Sequence, residues 1–229
     1  MTARLGGKIK SLMAFLVYGY RHTTVALSAT TISTEETEFI IEQAEYRKRY
    51  KEWKPRDIDK VFREHQIVPD VVDDSPVNVS KILFPFNHSP EFGNEMNLSL
   101  HTHIDWAQWP GTLNDTYTLI YTIPDVPSRE RPTSGEYQVW IVGNIEGPIY
   151  IQNETLTEYV KPTHPNGTGL HRHVFLVYKQ PFGRLINFDE PFLDANTPLD
   201  PRRYNFSTRA FAKKYDLGKP AAGNFFLAY

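Results

Sequence analysis

Two histidines, one residue apart, follow a glycine-rich turn in the second half of the chain. The turn is Asn166-Gly167-Thr168-Gly169, and His171 and His173 come soon after it. Side chains alternate along an extended strand, so both imidazoles are expected on the same face. Backbone N–H groups of such a turn can approach a ligand closely, and imidazole adds a donor that can become cationic near neutral pH. A turn of this kind followed by two imidazoles could hold an anion. If one binds here, we expect His171 to be the first contact, with His173 beside it.

The same His-x-His spacing is also half of a metal site, which would need a third and a fourth ligand. His164 or Asp125 could supply one of them. The glycine-rich turn already accounts for the histidines without a metal, so we predict no metal site. A second pair, His101 and His103, lies in a stretch expected to be a surface strand, where exposure alone accounts for both imidazoles.

The residues offer little support for catalysis. The chain of 229 residues has no cysteine, which excludes disulfides, thiol catalysis and cysteine-bound zinc. It has no Gly-x-Ser-x-Gly elbow, no His-Glu-x-x-His pair and no Walker A loop. We therefore predict a protein that is not an enzyme and that needs no cofactor. The net charge of −2 argues against general attraction to nucleic acid.

The hydrophobic pattern changes near His65. Before this residue, helical spacing predicts a helix over residues 33–53 and a short amphipathic helix after Pro55. After it, short apolar runs separated by Pro, Gly and Asn predict strands, with one further helix at Thr208–Tyr215. The strands are expected at Val79–Phe84, Asn97–His103, Tyr117–Tyr121, Gln138–Val142, His171–Tyr178 and Asn224–Tyr229. Many strands with turns between them are typical of an all-β antiparallel domain with few short helices, here preceded by a helical tail.

Three stretches resemble the motifs of one known family. The stretch Tyr121–Arg129 is similar to an Asp-Pro-Asp-Ala-Pro-Ser-Arg motif. The stretch Pro165–Tyr178 contains a Gly-x-His-Arg signature, and Phe211–Phe226 is similar to a closing helix, turn and last strand. On these residues the chain resembles the phosphatidylethanolamine-binding protein (PEBP) family over about residues 65 to 229. Among the members of this family, the motifs resemble those of secreted insect proteins most closely.

The resemblance implies an antiparallel β-fold of two sheets with a small cavity near one end that accepts phosphate-type head groups. Carried over position by position, it implies a cavity lined by Asp125, Pro127, Tyr137, Pro165, Gly167, Gly169, His171 and His173. Asp125 could instead cap the proline-bounded turn, and both readings stay open. Arg172 follows onto the other face of the strand and is expected to form a structural ion pair. The implied domain covers 65–229, after a signal or targeting segment at 1–30 and a helical extension at 31–64.

The sequence departs from the family pattern at the expected cavity. Ile123 stands where the family has the first acidic residue of its motif, Val139 where it has a histidine, and His173 where it usually has an aromatic residue. A more apolar cavity is therefore expected, since a lost charged hydrogen bond is worth roughly 1.5–3 kcal/mol. The chain ends at Tyr229, shortly after the last recognised strand, so the family's C-terminal helix is expected to be missing.

Seven Asn-x-Ser/Thr sequons favour a glycosylated protein of the secretory pathway. We expect glycans at Asn78, Asn97, Asn114, Asn153 and Asn205; the other two sequons begin at Asn87, which is weakened by Pro90, and at Asn166. Basic residues precede a short apolar run, Leu12 to Tyr20, in the order of a secretory signal. This run is too short for a transmembrane segment, which needs roughly 20 residues. We predict secretion, with a mitochondrial or cytoplasmic location as the alternative.

The sequence leaves two functions open. The favoured one is a monomer that binds a small anionic, phosphate-bearing or phospholipid-like ligand without turnover. The alternative is a protein-interaction module that inhibits a protease or a kinase, as several family members do, or a mitochondrial interaction protein. Its natural surfaces would be the connection Pro181–Pro201 and the basic segment Tyr46–Lys54.

Overall fold

The computed structural model describes residues 53–150 and 154–229. The predicted signal or targeting segment at 1–30 and Asn153 therefore lie outside the described residues. So do the predicted tail helix over 33–53 and the basic segment Tyr46–Lys54, apart from Trp53 and Lys54. Within the described part, no helix combines the length and the apolar character needed to cross a membrane.

A six-stranded sheet forms the centre of the fold. Its strands are β1 (Asn78–Val79), β4 (Thr116–Ile123), β5 (Tyr137–Glu146), β7 (Glu154–Thr157), β8 (His171–Lys179) and β9 (Ala222–Ala228). Their spatial order is β1-β9-β8-β4-β5-β7. Only β1 pairs in parallel, with β9, and the other pairings are antiparallel. Every residue of β4, including its threonines, is buried, because both faces of this central strand are covered.

Two further layers cover the two faces of the large sheet. One is a three-stranded antiparallel sheet of β2 (Lys81–Leu83), β3 (Trp106–Gln108) and β6 (Ile149–Tyr150). The other contains the helices α1 (Pro55–Glu64), α2 (Ile67–Asp70) and α3 (Thr208–Lys214). Alternation along β4 divides the core accordingly, since Leu119 and Tyr121 pack in one apolar cluster and Ile120 in the other.

The helices begin where the sequence provides a start signal. Pro55 occupies the first turn of α1, where its missing N–H costs nothing, and Ser207 Oγ accepts from Ala210 N at the start of α3. In α1 the ring of Phe62 meets Phe225 of β9 edge-on at 5.4 Å. This helix therefore packs directly on the large sheet, while the predicted domain limits at 31–64 and 65–229 stay a prediction.

The predicted all-β, two-sheet fold with few short helices is confirmed, as are the long strands and the helix at Thr208. The strand predicted at Asn97–His103 is wrong. Residues Leu98–Leu100 form a 3₁₀ turn instead, because the Asn97 side chain accepts from Ser99 N at 2.9 Å and competes with strand pairing. Further 3₁₀ turns lie at Pro85–Asn87, Pro181–Gly183 and Pro201–Arg203.

The expectation that both histidines of the His101-x-His103 pair are exposed is also wrong for one of them. His101 is fully buried and stacks on Phe84 with ring centroids 4.1 Å apart, whereas His103 is exposed and pairs with Asp105. The 3₁₀ turn causes this difference, since it turns the end of the segment inward toward the core.

Candidate functional site

A cavity of about 510 Å³ opens at one end of the large sheet. β4 runs antiparallel to both β5 and β8, so the end of β4 lies beside the starts of the other two strands. Ile123, Tyr137 and His171 occupy these strand ends and line the cavity together. The order of the strands thus brings together residues that are far apart in the sequence.

Half of the residues predicted to bind a ligand line this cavity. These are Pro127, Tyr137, Pro165 and His171. Ile123 also lines it, whereas Val139 is fully buried in the core between the sheets. The cavity wall does not include the remaining four residues, which are Asp125, Gly167, Gly169 and His173.

Asp125 lies behind the cavity wall in a buried ion pair with Arg172. Its carboxylate accepts from Arg172 Nη2 at 2.6 Å and from the backbone N–H of Arg172 at 2.7 Å. The guanidinium also donates to Asp70 Oδ2 at 2.8 Å. The prediction of an ion-pairing role for Arg172 is confirmed. The pair joins the segment after β4 to the start of β8, and so it supports the position of His171.

His173 lies inside the core with both ring nitrogens in hydrogen bonds. Its Nδ1 is 2.7 Å from the Tyr121 hydroxyl, and its Nε2 is 2.8 Å from His164 Nε2. Its ring stacks on Phe226 at 4.4 Å. Burial, followed by the nearby His164 and His171, lowers the pKa of His173 well below its ordinary value. His173 is therefore a neutral, fully engaged imidazole.

His171 and His164 stack face to face, with ring centroids 3.7 Å apart and planes 4° apart. His171 Nε2 lies 2.7 Å from Thr168 Oγ1, whose hydroxyl donates to the Pro165 carbonyl at 2.8 Å. Burial lowers the pKa of His171, and the charge of Asp125 offsets part of that effect. Burial also lowers the pKa of His164 to about 4, with a smaller contribution from His171. Near neutral pH both rings are therefore neutral hydrogen-bonding groups.

The sequence interpretation considered His164 only as a metal ligand and missed it as part of the cavity wall. Its position just before the glycine-rich turn was the available signal. The described residues contain no group of three or more His, Cys, Asp or Glu side chains arranged to hold a metal. The 2.8 Å contact between His164 and His173 is also too short for a bridging ion, because each metal–nitrogen bond alone takes roughly 2 Å. The prediction that no metal binds stays a prediction.

The mouth of the cavity adds polar groups to an apolar lining. Ser134, Thr163 and Tyr204 bring hydroxyls, and Lys161 brings a cation whose ammonium donates to the Ser99 carbonyl at 3.1 Å. Tyr137 donates to the Pro198 carbonyl at 2.7 Å, and burial raises its pKa to about 12. The wall can therefore offer neutral donors and one exposed cation to a small ligand.

A family model described as phosphatidylethanolamine-binding protein matches residues 81–226. The chain belongs to this family. A 26 kDa secreted antigen of Toxocara canis is 36% identical over 165 residues, which cover 72% of the chain and 62% of the antigen. The chain thus spans less than two thirds of that relative. The resemblance seen in the sequence is confirmed.

Two more PEBP-like relationships are more distant. A putative odorant-binding protein A5 of Drosophila melanogaster is 28% identical over 170 residues, covering 73% of the chain and 78% of that protein. A carboxypeptidase Y inhibitor, solved in complex with its cognate proteinase, superposes with a TM-score of 0.65 at 23% identity. That match covers 76% of the chain and 95% of the inhibitor, and at this identity it shows the PEBP fold alone.

Proposed function

We propose that this PEBP-family protein is a secreted protein that binds a small anionic, phosphate-bearing or phospholipid-like ligand without turnover. The observation that carries this proposal is the cavity at the shared end of β4, β5 and β8. Its volume, about 510 Å³, falls in the range of small-molecule sites. Its wall combines an apolar lining, such as Ile123, with the donors of His164 and Lys161, which is the composition that a phosphate ester with a short apolar group requires.

Secretion is supported by two independent features. The chain carries seven sequons, and its relative from Toxocara canis is named a secreted antigen. Expression in a secretory host, followed by measurement of the protein in the medium and of its N-glycans, tests this part. Retention of an unglycosylated chain inside the cell would contradict it.

Titration of the full chain tests the ligand. Inorganic phosphate, phosphoethanolamine and dihexanoyl phosphatidylethanolamine are added separately, and binding is followed by NMR shift changes and by calorimetry. We expect saturable binding that the substitution Ile123→Trp abolishes, because the indole would fill the cavity. Leu113→Trp is the matched control, since Leu113 is 77% exposed and precedes the opposite end of β4. The ligand after incubation should be recovered unchanged.

Each outcome has a clear meaning. If no probe binds the wild-type chain at millimolar concentration, the ligand proposal is wrong. If a probe binds and Ile123→Trp leaves its affinity unchanged, the site is not this cavity. Conversion of a probe would contradict the absence of turnover.

A second candidate function is inhibition of a protease, and one surface favours it. The connection after β8 carries large apolar side chains in solvent, which are Phe182, Leu185, Phe192 and Leu199. Phe182 is 90% exposed. The structural neighbour named as a carboxypeptidase Y inhibitor makes carboxypeptidase Y the first enzyme to assay. We expect Phe182→Asp to weaken inhibition. Phe86→Asp is the control and should leave inhibition unchanged, since Phe86 is 80% exposed and lies outside this connection. Absence of inhibition by the wild-type chain would remove this candidate for that enzyme.

A further inference from the structure

The phenol of Tyr121 is the starting point of a hydrogen-bond chain that ends at the cavity. Tyr121 is fully buried, and its hydroxyl has one hydrogen-bond partner among the described residues, His173 Nδ1 at 2.7 Å. A buried O–H without an acceptor costs about 1–3 kcal/mol, so the hydroxyl donates its proton to this nitrogen. Burial raises the pKa of Tyr121 well above its ordinary value, which keeps the phenol protonated. His173 Nδ1 is therefore the acceptor.

The next two nitrogens follow from the chemistry of neutral imidazole, which carries one N–H and one acceptor nitrogen. With Nδ1 accepting, the proton of His173 lies on Nε2, which points at His164 Nε2 at 2.8 Å. His164 Nε2 must then accept, and the proton of His164 lies on Nδ1. This Nδ1 has no hydrogen-bond partner among the described residues, and it is not one of their fully buried unpaired atoms. It belongs to a side chain that lines the cavity.

His171, the stacked neighbour, has no nitrogen left for a ligand in this arrangement. Its Nε2 lies against Thr168 Oγ1, and its Nδ1 is fully buried beneath the wall. The parallel stack at 3.7 Å therefore makes His171 a platform that fixes the plane of the His164 ring.

We propose that Tyr121, His173 and His164 form a hydrogen-bond chain with one fixed proton order, which holds His164 as the N–H donor to an anionic ligand oxygen. Tyr121 and His173 are positioning residues, and His164 makes the contact. The ligand contact rests on the proposed function, whereas the proton order is a property of the ligand-free protein. A neutral N–H suits a phosphate-type oxygen and cannot accept from an ammonium group, so the phosphate end of a head group binds at His164.

The proton order is tested first, without ligand. In the full chain labelled with 15N-histidine, long-range 1H–15N spectra at neutral pH separate protonated from bare ring nitrogens. We expect the proton on Nε2 of His173 and on Nδ1 of His164, with signals assigned from His164→Phe and His173→Phe. Tyr121→Phe removes the first donor and should produce a mixture of His164 tautomers. Tyr159→Phe is the matched control, because this nearby phenol donates to the His101 carbonyl instead.

A wild-type His164 that carries its proton on Nε2, or a His164 tautomer that Tyr121→Phe leaves unchanged, would overturn the fixed order. The ligand contact is tested by the affinity of inorganic phosphate, phosphoethanolamine and ethanolamine. His164→Phe keeps the stacked ring and removes the donor, so it should weaken both phosphate probes about tenfold or more and leave ethanolamine unchanged. His171→Phe should have a smaller effect. If His171→Phe does not fold, Thr168→Val is measured in its place.

The two proposals fail in different ways. Wild-type protein that binds no phosphate probe overturns the proposed function together with the ligand contact, while the NMR result still decides the proton order. If the wild-type protein and His164→Phe bind a phosphate probe equally tightly, the contact is overturned and the proposed function stands. Binding that depends on His171 and not on His164 also overturns the contact.

Discussion

Arg172 Nη2 lies 2.6 Å from Asp125 Oδ1, and both side chains are almost completely buried directly behind the cavity. The carboxylate also holds the backbone N–H of Arg172, so this pair fixes where β8 begins. A second carboxylate, Asp70, reaches the same guanidinium from the solvent side, where it is 44% exposed. The two contacts share one arginine, but Asp125 is the buried partner and accepts more of its hydrogen bonds than Asp70 does.

The first prediction uses this difference. Asp125→Asn should destabilise the protein by about 3–5 kcal/mol, because it removes the buried charge partner of the guanidinium and leaves only the solvent-exposed Asp70. Asp70→Asn is the matched control and should cost less than about 1 kcal/mol, since solvent screens its pair. Urea unfolding of both variants measures the difference. Equal effects of the two substitutions would contradict the stronger contribution of the buried Asp125 pair.

The second prediction concerns acid sensitivity at His101. Burial lowers the pKa of His101 to about 4 from an ordinary 6.5. The unfolded chain takes up a proton below pH 6.5 and the folded chain does not, so stability is complete above this pH and falls as pH drops toward 4. Neither ring nitrogen of His101 has a partner among the described residues, so His101→Phe should keep the stack on Phe84 at little cost.

We expect His101→Phe to be about 2 kcal/mol more stable than the wild-type chain at pH 5, relative to the difference at pH 8. Some acid sensitivity should remain, because the pKa of His173 is also lowered by burial. His103→Phe is the control, since His103 is exposed and pairs with Asp105. The unfolding free energy between pH 4 and pH 8 decides the point, and parallel profiles for His101→Phe and wild type would contradict it.

The third prediction concerns the opposite pH range at Glu136. Burial raises its pKa to about 7 from 4.5, and hydrogen bonds from Thr208 oppose only part of that shift. The unfolded chain loses this proton above pH 4.5 while the folded chain keeps it, so stability falls as pH rises from 4.5 to about 7. Glu136→Gln should remove this loss and be about 3 kcal/mol more stable than wild type at pH 8, relative to pH 4.

Glu146→Gln, at the exposed end of the same strand, is the control for Glu136→Gln. Chemical unfolding at several pH values gives the profiles. A Glu136→Gln profile that still falls between pH 5 and pH 7 as wild type does would show that another group causes the loss.

The fourth prediction sorts the sequons. Asn97, Asn114 and Asn205 are exposed, and we expect glycans on them in a secretory host. Asn78 is half-buried in β1, and its amide nitrogen donates to the Ala221 carbonyl at 2.9 Å. In contrast to the expectation from its sequon, we therefore expect Asn78 to stay unmodified once this contact has formed. Peptide mass spectrometry before and after glycan removal locates the glycans. A glycan on Asn78 at full occupancy would contradict this assignment.

Much of the fold follows from local pattern. Alternating or continuous apolar runs predict the strands around Tyr117–Tyr121 and His171–Tyr178, because successive side chains of a strand point to opposite faces. The strand prediction at Asn97–His103 is wrong because the apolar residues of this segment fit both a strand and a turn. The Asn97 side chain decides between them by accepting from Ser99 N.

The candidate site likewise combines features that the sequence predicts with features that only the tertiary structure determines. The glycine-rich turn and the histidines after it could be read from the chain alone, and so could the substitution of Ile123 at the cavity. The contacts among Tyr121, His164 and His173 could not, because they depend on which strand ends lie side by side and on which rings burial brings together. Asp125 is the clearest case, since its position in the sequence fits a ligand contact and a turn cap equally well. The buried guanidinium of Arg172, 47 residues further along the chain, engages it behind the wall. Residue type and spacing thus determine the family, the strands and the kind of chemistry available, whereas long-range packing decides which groups are paired and which remain for a ligand.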